Sequence, residues 1–171
     1  MDSDNALEIL AREAEAVRTA QYLTFVCAGE EYGVEILRVQ EIKGWEQVTR
    51  IPCTPAWLLG VMNLRGMIVP VIDLRLRFGL AQRPRDNSTV VVVVRARGPR
   101  GERTAGLVVD AVSDVYSVAA QAIQPTPALG GQVDTCVRSL ATVDDKMLML
   151  LDIDRLVNTS IDGIESQEAV A

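Results

Sequence analysis

The chain resembles itself, and this repeat constrains its fold more than any other feature of the sequence. "GVEILRVQEI" at 33–42 lies over "GLVVDAVSDV" at 106–115, and "GMIVPVIDLRLRF" at 66–78 lies over "DKMLMLLDIDRLV" at 145–157. In both copies, apolar residues alternate with polar ones or form short continuous runs, as in short strands. Many short strands separated by turn residues are typical of small barrels. The sequence therefore predicts a mostly β protein with two small antiparallel barrels side by side.

A polar segment, "AQRPRDN" at 81–87, separates the two copies. We place the first subdomain at about 20–85 and the second at about 86–151, and we allow for strands exchanged between them. "VMNLRGMIVPVIDL" at 61–74 is expected to be a hairpin whose turn contains Arg65 and Gly66.

Helices are expected only around this β-rich core. Residues 1–19 form an N-terminal extension in which the capping pattern predicts a helix over 5–18. A single helical turn is expected after Pro55 and short helices near Arg75 and over about 152–158. The acidic remainder, 159–171, is expected to be frayed.

Composition alone does not exclude an enzyme, but no motif in the sequence is typical of an active site. The chain contains no histidine, which removes Ser-His-Asp and Cys-His catalysis and the commonest metal ligand. No phosphate-cradling glycine motif occurs. Cys27, Cys53 and Cys136 are far apart, so that neither a disulfide framework nor a zinc site is expected. We predict no catalytic residue, no metal and no cofactor.

The charge balance bears on partners and location. The net charge of −6 repels phosphate backbones, and the arginine-rich segment at 95–103 is interpreted as a solvated hairpin tip. The N-terminus has no signal-like apolar core, and the apolar run at 90–94 is far too short to span a bilayer. These features predict a cytoplasmic protein that does not insert into a membrane.

Four motifs together resemble the CheW-type coupling proteins of bacterial chemotaxis over roughly residues 20–158: "EEYGVEILRVQEI", "TRIPCTPAWLLGVMNLRGMIVPVIDLRLRFG", "GLVVDAVSDV" and "DDKMLMLLDIDRLV". The resemblance implies a non-catalytic adaptor built of two five-stranded SH3-like β-barrels. It further implies binding to the cytoplasmic tip of methyl-accepting chemoreceptors and to the regulatory domain of a CheA-type histidine kinase, in receptor arrays at the inner membrane.

The resemblance also implies site residues. Glu41 of V-Q-E-I and Arg65 of N-L-R-G are expected at the receptor-binding surface, where they can pair. Val39 would supply an apolar contact there, and Gly60 would let the base of the hairpin pack closely. A planar guanidinium can hold a carboxylate in a bidentate geometry, so that lysine should replace Arg65 poorly. For the kinase, the loop "IQPTPALGG" at 123–131 would present Leu129.

Alternatives remain open at this point. The same fold occurs within the kinase and in adaptors with a receiver domain, although the absence of either domain here favours a stand-alone adaptor. A paralogue serving a non-flagellar chemosensory pathway is equally compatible with the motifs. A nucleic-acid-binding β-barrel would need a positive groove with stacking aromatics, which the acidic charge and sparse aromatic residues argue against.

Overall fold

Two packed β-sheets form the fold. The computed structural model describes residues 5–10, 19–126 and 136–170. Sheet 1 has six strands in the order β8-β1-β2-β11-β10-β9, and sheet 2 has five in the order β3-β6-β7-β5-β4. The strands are β1 Thr19–Cys27, β2 Glu30–Glu35, β3 Val39–Gly44, β4 Leu58–Leu64, β5 Met67–Asp73, β6 Val90–Gly98, β7 Gly101–Val109, β8 Ala111–Ala119, β9 Ile123–Pro125, β10 Val137–Val143 and β11 Lys146–Leu151.

The mostly β architecture with two packed units is confirmed, but the sheets are not closed barrels of five strands each. The strands also group differently from the expected boundary between residues 85 and 86. Sheet 2 contains all of β3 to β7, whereas sheet 1 combines β1 and β2 with β8 to β11. The reason is that β1 pairs with β8 along its length and the valine-rich β6 pairs with β3. The chain therefore crosses between the sheets twice, after Glu35 and at Asp110.

The internal repeat is confirmed by the register of the strands. In sheet 1, Leu150 of β11 lies opposite Gly33 of β2 in a parallel pair. In sheet 2, Val71 of β5 lies opposite Gly106 of β7 in the same kind of pair. Both residues of each pair are the ones that the sequence repeat superimposes. A Cβ atom at Gly33 would lie 2.9 Å from Leu150 Cδ2, and one at Gly106 would lie 2.7 Å from Val91 Cγ1. A side chain would thus be crowded by a neighbouring side chain at the corresponding position of both sheets.

The largest hydrophobic cluster joins the two sheets. It contains buried residues of both sheets and of the C-terminal helix, among them Phe25, Val34, Ile72, Leu107 and Leu156. The ring of Tyr32 stacks between Phe25 and Phe78, with centroid distances of 5.8 and 5.2 Å. Each sheet also has a smaller cluster of its own, so the shared cluster lies between two local cores.

The helices lie at the periphery, as expected. Residues 5–10 form α1, inside the predicted helix over 5–18, and α2 spans Leu74–Arg77. Asp73 caps α2 by accepting hydrogen bonds from the backbone amides of Arg75 and Leu76.

The C-terminal helix is longer than expected. Helix α3 spans Ile153–Val170, whereas the sequence predicted a helix only over 152–158 and a frayed tail beyond it. Good helix formers after residue 163, which include glutamate, glutamine and alanine, extend it. Among the helices described, none is both long enough and apolar enough to cross a bilayer.

A bidentate ion pair lies at each crossover, and we call each of these pairs a clamp. Arg38, in the 3-10 turn Ile36–Arg38, binds Asp154 of α3 through two hydrogen bonds of 2.9 and 3.1 Å. Arg75 of α2 binds Asp110 through hydrogen bonds of 2.8 and 2.6 Å. In the repeat, Arg75 corresponds to Asp154, and their partners lie one position out of register, since Arg38 corresponds to Ala111, next to Asp110. The two clamps therefore occupy similar places with opposite polarity.

A backbone contact covers the edge of sheet 2. Thr49 lies in the segment that connects β3 to β4, and it exchanges hydrogen bonds of 2.9 and 2.8 Å with Val61 of β4. The neighbouring Gly60 has a φ of +150°, and a Cβ atom there would lie 2.1 Å from the Thr49 carbonyl oxygen. This connecting segment can reach β4 only because residue 60 lacks a side chain.

We expect Gly60→Ala to lower the free energy of unfolding by about 1–3 kcal/mol, because the added methyl group collides with rigid backbone. Gly79→Ala is the matched control, since Gly79 also has a positive φ but open space around its Cβ position. Urea unfolding of both variants measures the difference. A Gly60→Ala variant no less stable than Gly79→Ala would show that the close approach is unimportant.

The Asp110 clamp predicts a pH dependence of stability. The hydrogen bonds from Arg75 hold the pKa of the Asp110 carboxyl below its ordinary value. A carboxyl whose pKa is lower in the folded state stabilises it above the unfolded pKa, and this contribution is lost as the pH falls through the folded pKa.

Asp110→Asn should therefore destabilise the protein at neutral pH, by about 1–3 kcal/mol for a lost charged hydrogen-bond partner. The variant should approach the wild type in stability at pH values below the Asp110 pKa. Chemical unfolding at a series of pH values measures this. A constant difference between the two proteins at every pH would contradict the titration of Asp110 as its cause.

Candidate functional site

Arg65 lies at the tip of the β4–β5 hairpin. Arg65 and Gly66 have φ values of 53° and 86°, and the Asn63 side chain accepts a hydrogen bond of 2.8 Å from the Gly66 amide. Positive φ at both central residues is the backbone of a type I′ turn, which suits the twist of a hairpin. An arginine rarely adopts this conformation. The turn directs its side chain outwards, where it is 80% exposed.

Glu41 approaches Arg65 from the opposite edge of sheet 2. It lies on β3, and its Oε2 atom is 3.2 Å from Nη2 of Arg65. An ion pair therefore joins β3, at one edge of sheet 2, to the turn of the β4–β5 hairpin at the other edge. The predicted proximity of Glu41 and Arg65 is thus observed.

The geometry of this pair differs from the predicted bidentate arrangement. Oε2 of Glu41 is shielded from solvent and accepts no hydrogen bond from the described residues, so the contact is an ion pair without a directed hydrogen bond. The Glu41 side chain is only 20% exposed, whereas the Arg65 guanidinium faces solvent. Glu41 restrains the arginine and leaves most of its five N–H donors available.

The other predicted site residues have different surroundings. Val39 is half-buried and packs against the main core cluster, and Gly60 is buried against the backbone of Thr49. Gly60 can therefore act on the surface only through the shape of the hairpin base. Leu129 lies outside the described residues.

Sequence reasoning missed three exposed apolar side chains around this pair. Met67 and Ile68 directly follow the Arg65 turn and are 50% and 63% exposed, and Ile42, next to Glu41, is 44% exposed. The position of both β5 residues beside the turn was the available signal, because Val69, Val71 and Ile72 further along β5 are fully buried. Together with Glu41 and Arg65, these three residues form what we call the hairpin surface.

The equivalent surface of sheet 1 is similar in shape and different in charge. Val115 and Met147, the counterparts of Ile42 and Ile68 in the repeat, are 44% and 61% exposed. The counterpart of Arg65 is Asp144, which also has a positive φ at a hairpin tip. At the turn itself, the hairpin of sheet 2 has an arginine and that of sheet 1 has two aspartates, Asp144 and Asp145, followed by Lys146.

The cysteines do not form a reactive or metal-binding site in the part of the chain that is described. Cys27 and Cys136 are buried, and Cys53 is exposed. Burial raises the pKa of the Cys27 thiol to about 12, so that it stays protonated at neutral pH. The described residues include no group of three or more histidine, cysteine or acidic side chains placed to hold a metal ion.

Comparisons with known proteins agree with this architecture. A family model described as the CheW-like domain matches residues 21–160. The chain is 44% identical to chemotaxis protein CheW of Klebsiella aerogenes over 140 residues, covering 81% of this chain and 82% of that protein. It is 30% identical to chemotaxis protein CheW of Bacillus subtilis over 159 residues, covering 92% and 96%.

A solved structure is also similar. The crystal structure of the scaffolding protein TtCheW from Thermoanaerobacter tengcongensis superimposes with a TM-score of 0.75 at 35% identity, covering 81% of this chain and 92% of that one. The family match spans both sheets and includes the Glu41–Arg65 pair and the repeated hairpins. The chain therefore belongs to the family of CheW-like domain proteins.

Proposed function

We propose that this protein is a non-catalytic adaptor that couples methyl-accepting chemoreceptors to a CheA-type histidine kinase. The observation that carries the proposal is the hairpin surface: a restrained, exposed arginine among exposed apolar side chains, in a chain whose relatives are chemotaxis proteins. The adaptor works in the cytoplasm and joins receptor arrays at the inner membrane.

The hairpin surface suits a partner that offers both apolar and acceptor groups. Met67, Ile68 and Ile42 can bury apolar area against a receptor helix, which favours association in proportion to that area. Arg65 can donate hydrogen bonds to carboxylate or carbonyl oxygens at the edge of this contact. Because Glu41 already limits the motion of Arg65, less side-chain entropy is lost on binding.

Substitution of Arg65 should weaken receptor binding without unfolding the protein. Arg65→Glu places a carboxylate opposite Glu41 on the exposed surface, and we expect receptor affinity to fall by at least about tenfold, equal to about 1.4 kcal/mol. The melting temperature should hardly change, because exposed ion pairs contribute only about 0–1 kcal/mol. Titration with a soluble cytoplasmic receptor fragment and thermal unfolding measure the two quantities.

Arg100→Glu is the matched control for this experiment, since Arg100 is an exposed arginine at the tip of another hairpin. Glu41→Lys should behave like Arg65→Glu. Normal receptor binding by Arg65→Glu would remove the hairpin surface from the interface. Unfolding of that variant would show instead that the arginine is a structural strut.

For the kinase, we propose that the loop at 123–131 presents Leu129. The proposal rests on the resemblance and on the position of β9, which precedes Leu129 at an edge of sheet 1. Leu129→Ser should weaken binding to the isolated regulatory domain of the kinase by about tenfold and leave the monomer folded. Met147→Ser, at an exposed apolar residue elsewhere on sheet 1, is the control. Equal kinase affinity of the two variants would exclude Leu129 from the contact.

A further inference from the structure

A cleft of about 470 Å³ opens at the end of sheet 2 that lies away from the Arg65 turn. It reaches the first residues of β4, whereas Arg65 follows the last residue of that strand. The seven residues of β4 separate the two places by roughly 20 Å, at about 3.3 Å per residue. The cleft is thus separate from the hairpin surface. Its lining includes Trp45, Arg50, Leu58, Leu76, Gln82 and Arg85.

The cleft is positively charged in an acidic protein. Arg50 and Arg85 line it, and none of the described residues in its lining is acidic, although the whole chain has a net charge of −6. Arg50 is exposed and forms no ion pair with any described residue. Such a local excess of positive charge attracts anions.

Two contacts hold the Arg85 guanidinium in place without using all of its N–H donors. Its guanidinium lies over the ring of Trp45, 4.3 Å from the ring centroid. Its Nη2 atom is 3.5 Å from Oδ2 of Asp73, whose other carboxylate oxygen caps α2. The Nε atom is shielded from solvent and has no hydrogen-bond partner among the described residues. The part of this fixed guanidinium that is exposed lines the cleft, and a guanidinium held in one orientation is suited to bind a planar oxyanion.

The rest of the cleft is apolar enough to hold a carbon skeleton. Val48, Pro55, Leu58, Leu59 and Leu76 contribute to its walls. Its volume falls in the range of about 300–1,000 Å³ that is usual for small-molecule sites. Polar groups make up more of its exposed lining than apolar groups do, which suits a small polar ligand with a short apolar body.

We propose that this cleft binds a small organic acid, with a carboxylate on Arg85 and Arg50 and an aromatic or branched aliphatic body against the leucine side chains. This ligand would bind to the adaptor itself and at a place that leaves Arg65 free. The proposal does not depend on the adaptor function, because the site is complete in the single chain and can be tested without a receptor or a kinase.

Calorimetric titration of the purified full-length chain tests the site. The probes are phenylacetate and 4-methylpentanoate, with phenylacetamide as the neutral analogue, inorganic phosphate as an anion without a body and a blocked Phe-Asp dipeptide as a protein-borne carboxylate. We expect at least one of the two acids to bind saturably with one site per chain. That acid should bind at least about tenfold more tightly than the amide or phosphate.

Three variants locate the binding. Arg85→Gln removes the guanidinium, and Ala56→Tyr fills the cleft from an exposed position while it keeps both arginines. Each should weaken binding at least about tenfold, whereas Arg100→Gln should not. If Arg85→Gln fails to fold, Ala56→Tyr decides alone.

Several results would overturn the proposal: no saturable binding of either acid, equal binding of the amide or phosphate, or unchanged binding to Ala56→Tyr. Tighter binding of the blocked dipeptide than of both acids would overturn it in another way, by assigning the cleft to a partner's acidic side chain.

Discussion

Burial of one shared core between two sheets is the interaction on which the rest of the structure depends. Phe25 and Tyr32 of sheet 1 stack with Phe78, which follows α2, and the same cluster includes Leu107 of sheet 2 and Leu156 of α3. Each sheet alone would expose this apolar face, at a cost of about 25 cal/mol for each Å². The crossovers at Glu35 and Asp110 follow from this, since strands distant in the sequence must meet in one sheet. The halves of the repeat therefore fold as one unit.

The ion pairs at the crossovers add specificity to this core. A partly buried pair contributes little net stability, because desolvation offsets most of its attraction. The two pairs differ in which side carries the arginine and which side carries the aspartate. Arg75 on α2 binds Asp110, and Asp154 on α3 binds Arg38. If the repeated helices exchanged places, arginine would face arginine and aspartate would face aspartate. The reversed order of the charges in the two pairs thus disfavours a misfolded state in which α2 and α3 have exchanged places.

Local chemistry made part of this structure predictable from the sequence. The turn at Arg65 and Gly66 and the short helix near Arg75 depend on neighbouring residues alone. The grouping of strands was not predictable, because the pairing of β1 with β8 joins segments far apart in the sequence. The proximity of Glu41 and Arg65 was expected only from the resemblance. Met67 and Ile68 point to opposite faces of β5, and both are exposed because the packed part of the strand begins only at Val69, which tertiary packing decides.

Arginines differ in how many of their guanidinium N–H donors already have partners within the fold. This difference separates structural arginines from those available to a partner. Arg38 and Arg75 form complete bidentate pairs, and buried Arg77 donates to Ser160 and Thr159 while it covers Trp57. The main hydrogen-bond donors of these three arginines are therefore already engaged within the fold. Arg65 has one contact without hydrogen-bond geometry, and Arg85 has one long hydrogen bond, of 3.5 Å, to Asp73. Binding energy comes from donors that the fold positions but leaves unsatisfied, because a ligand then gains hydrogen bonds without first breaking internal ones. By this criterion Arg65 and Arg85 are the arginines from which recognition is expected.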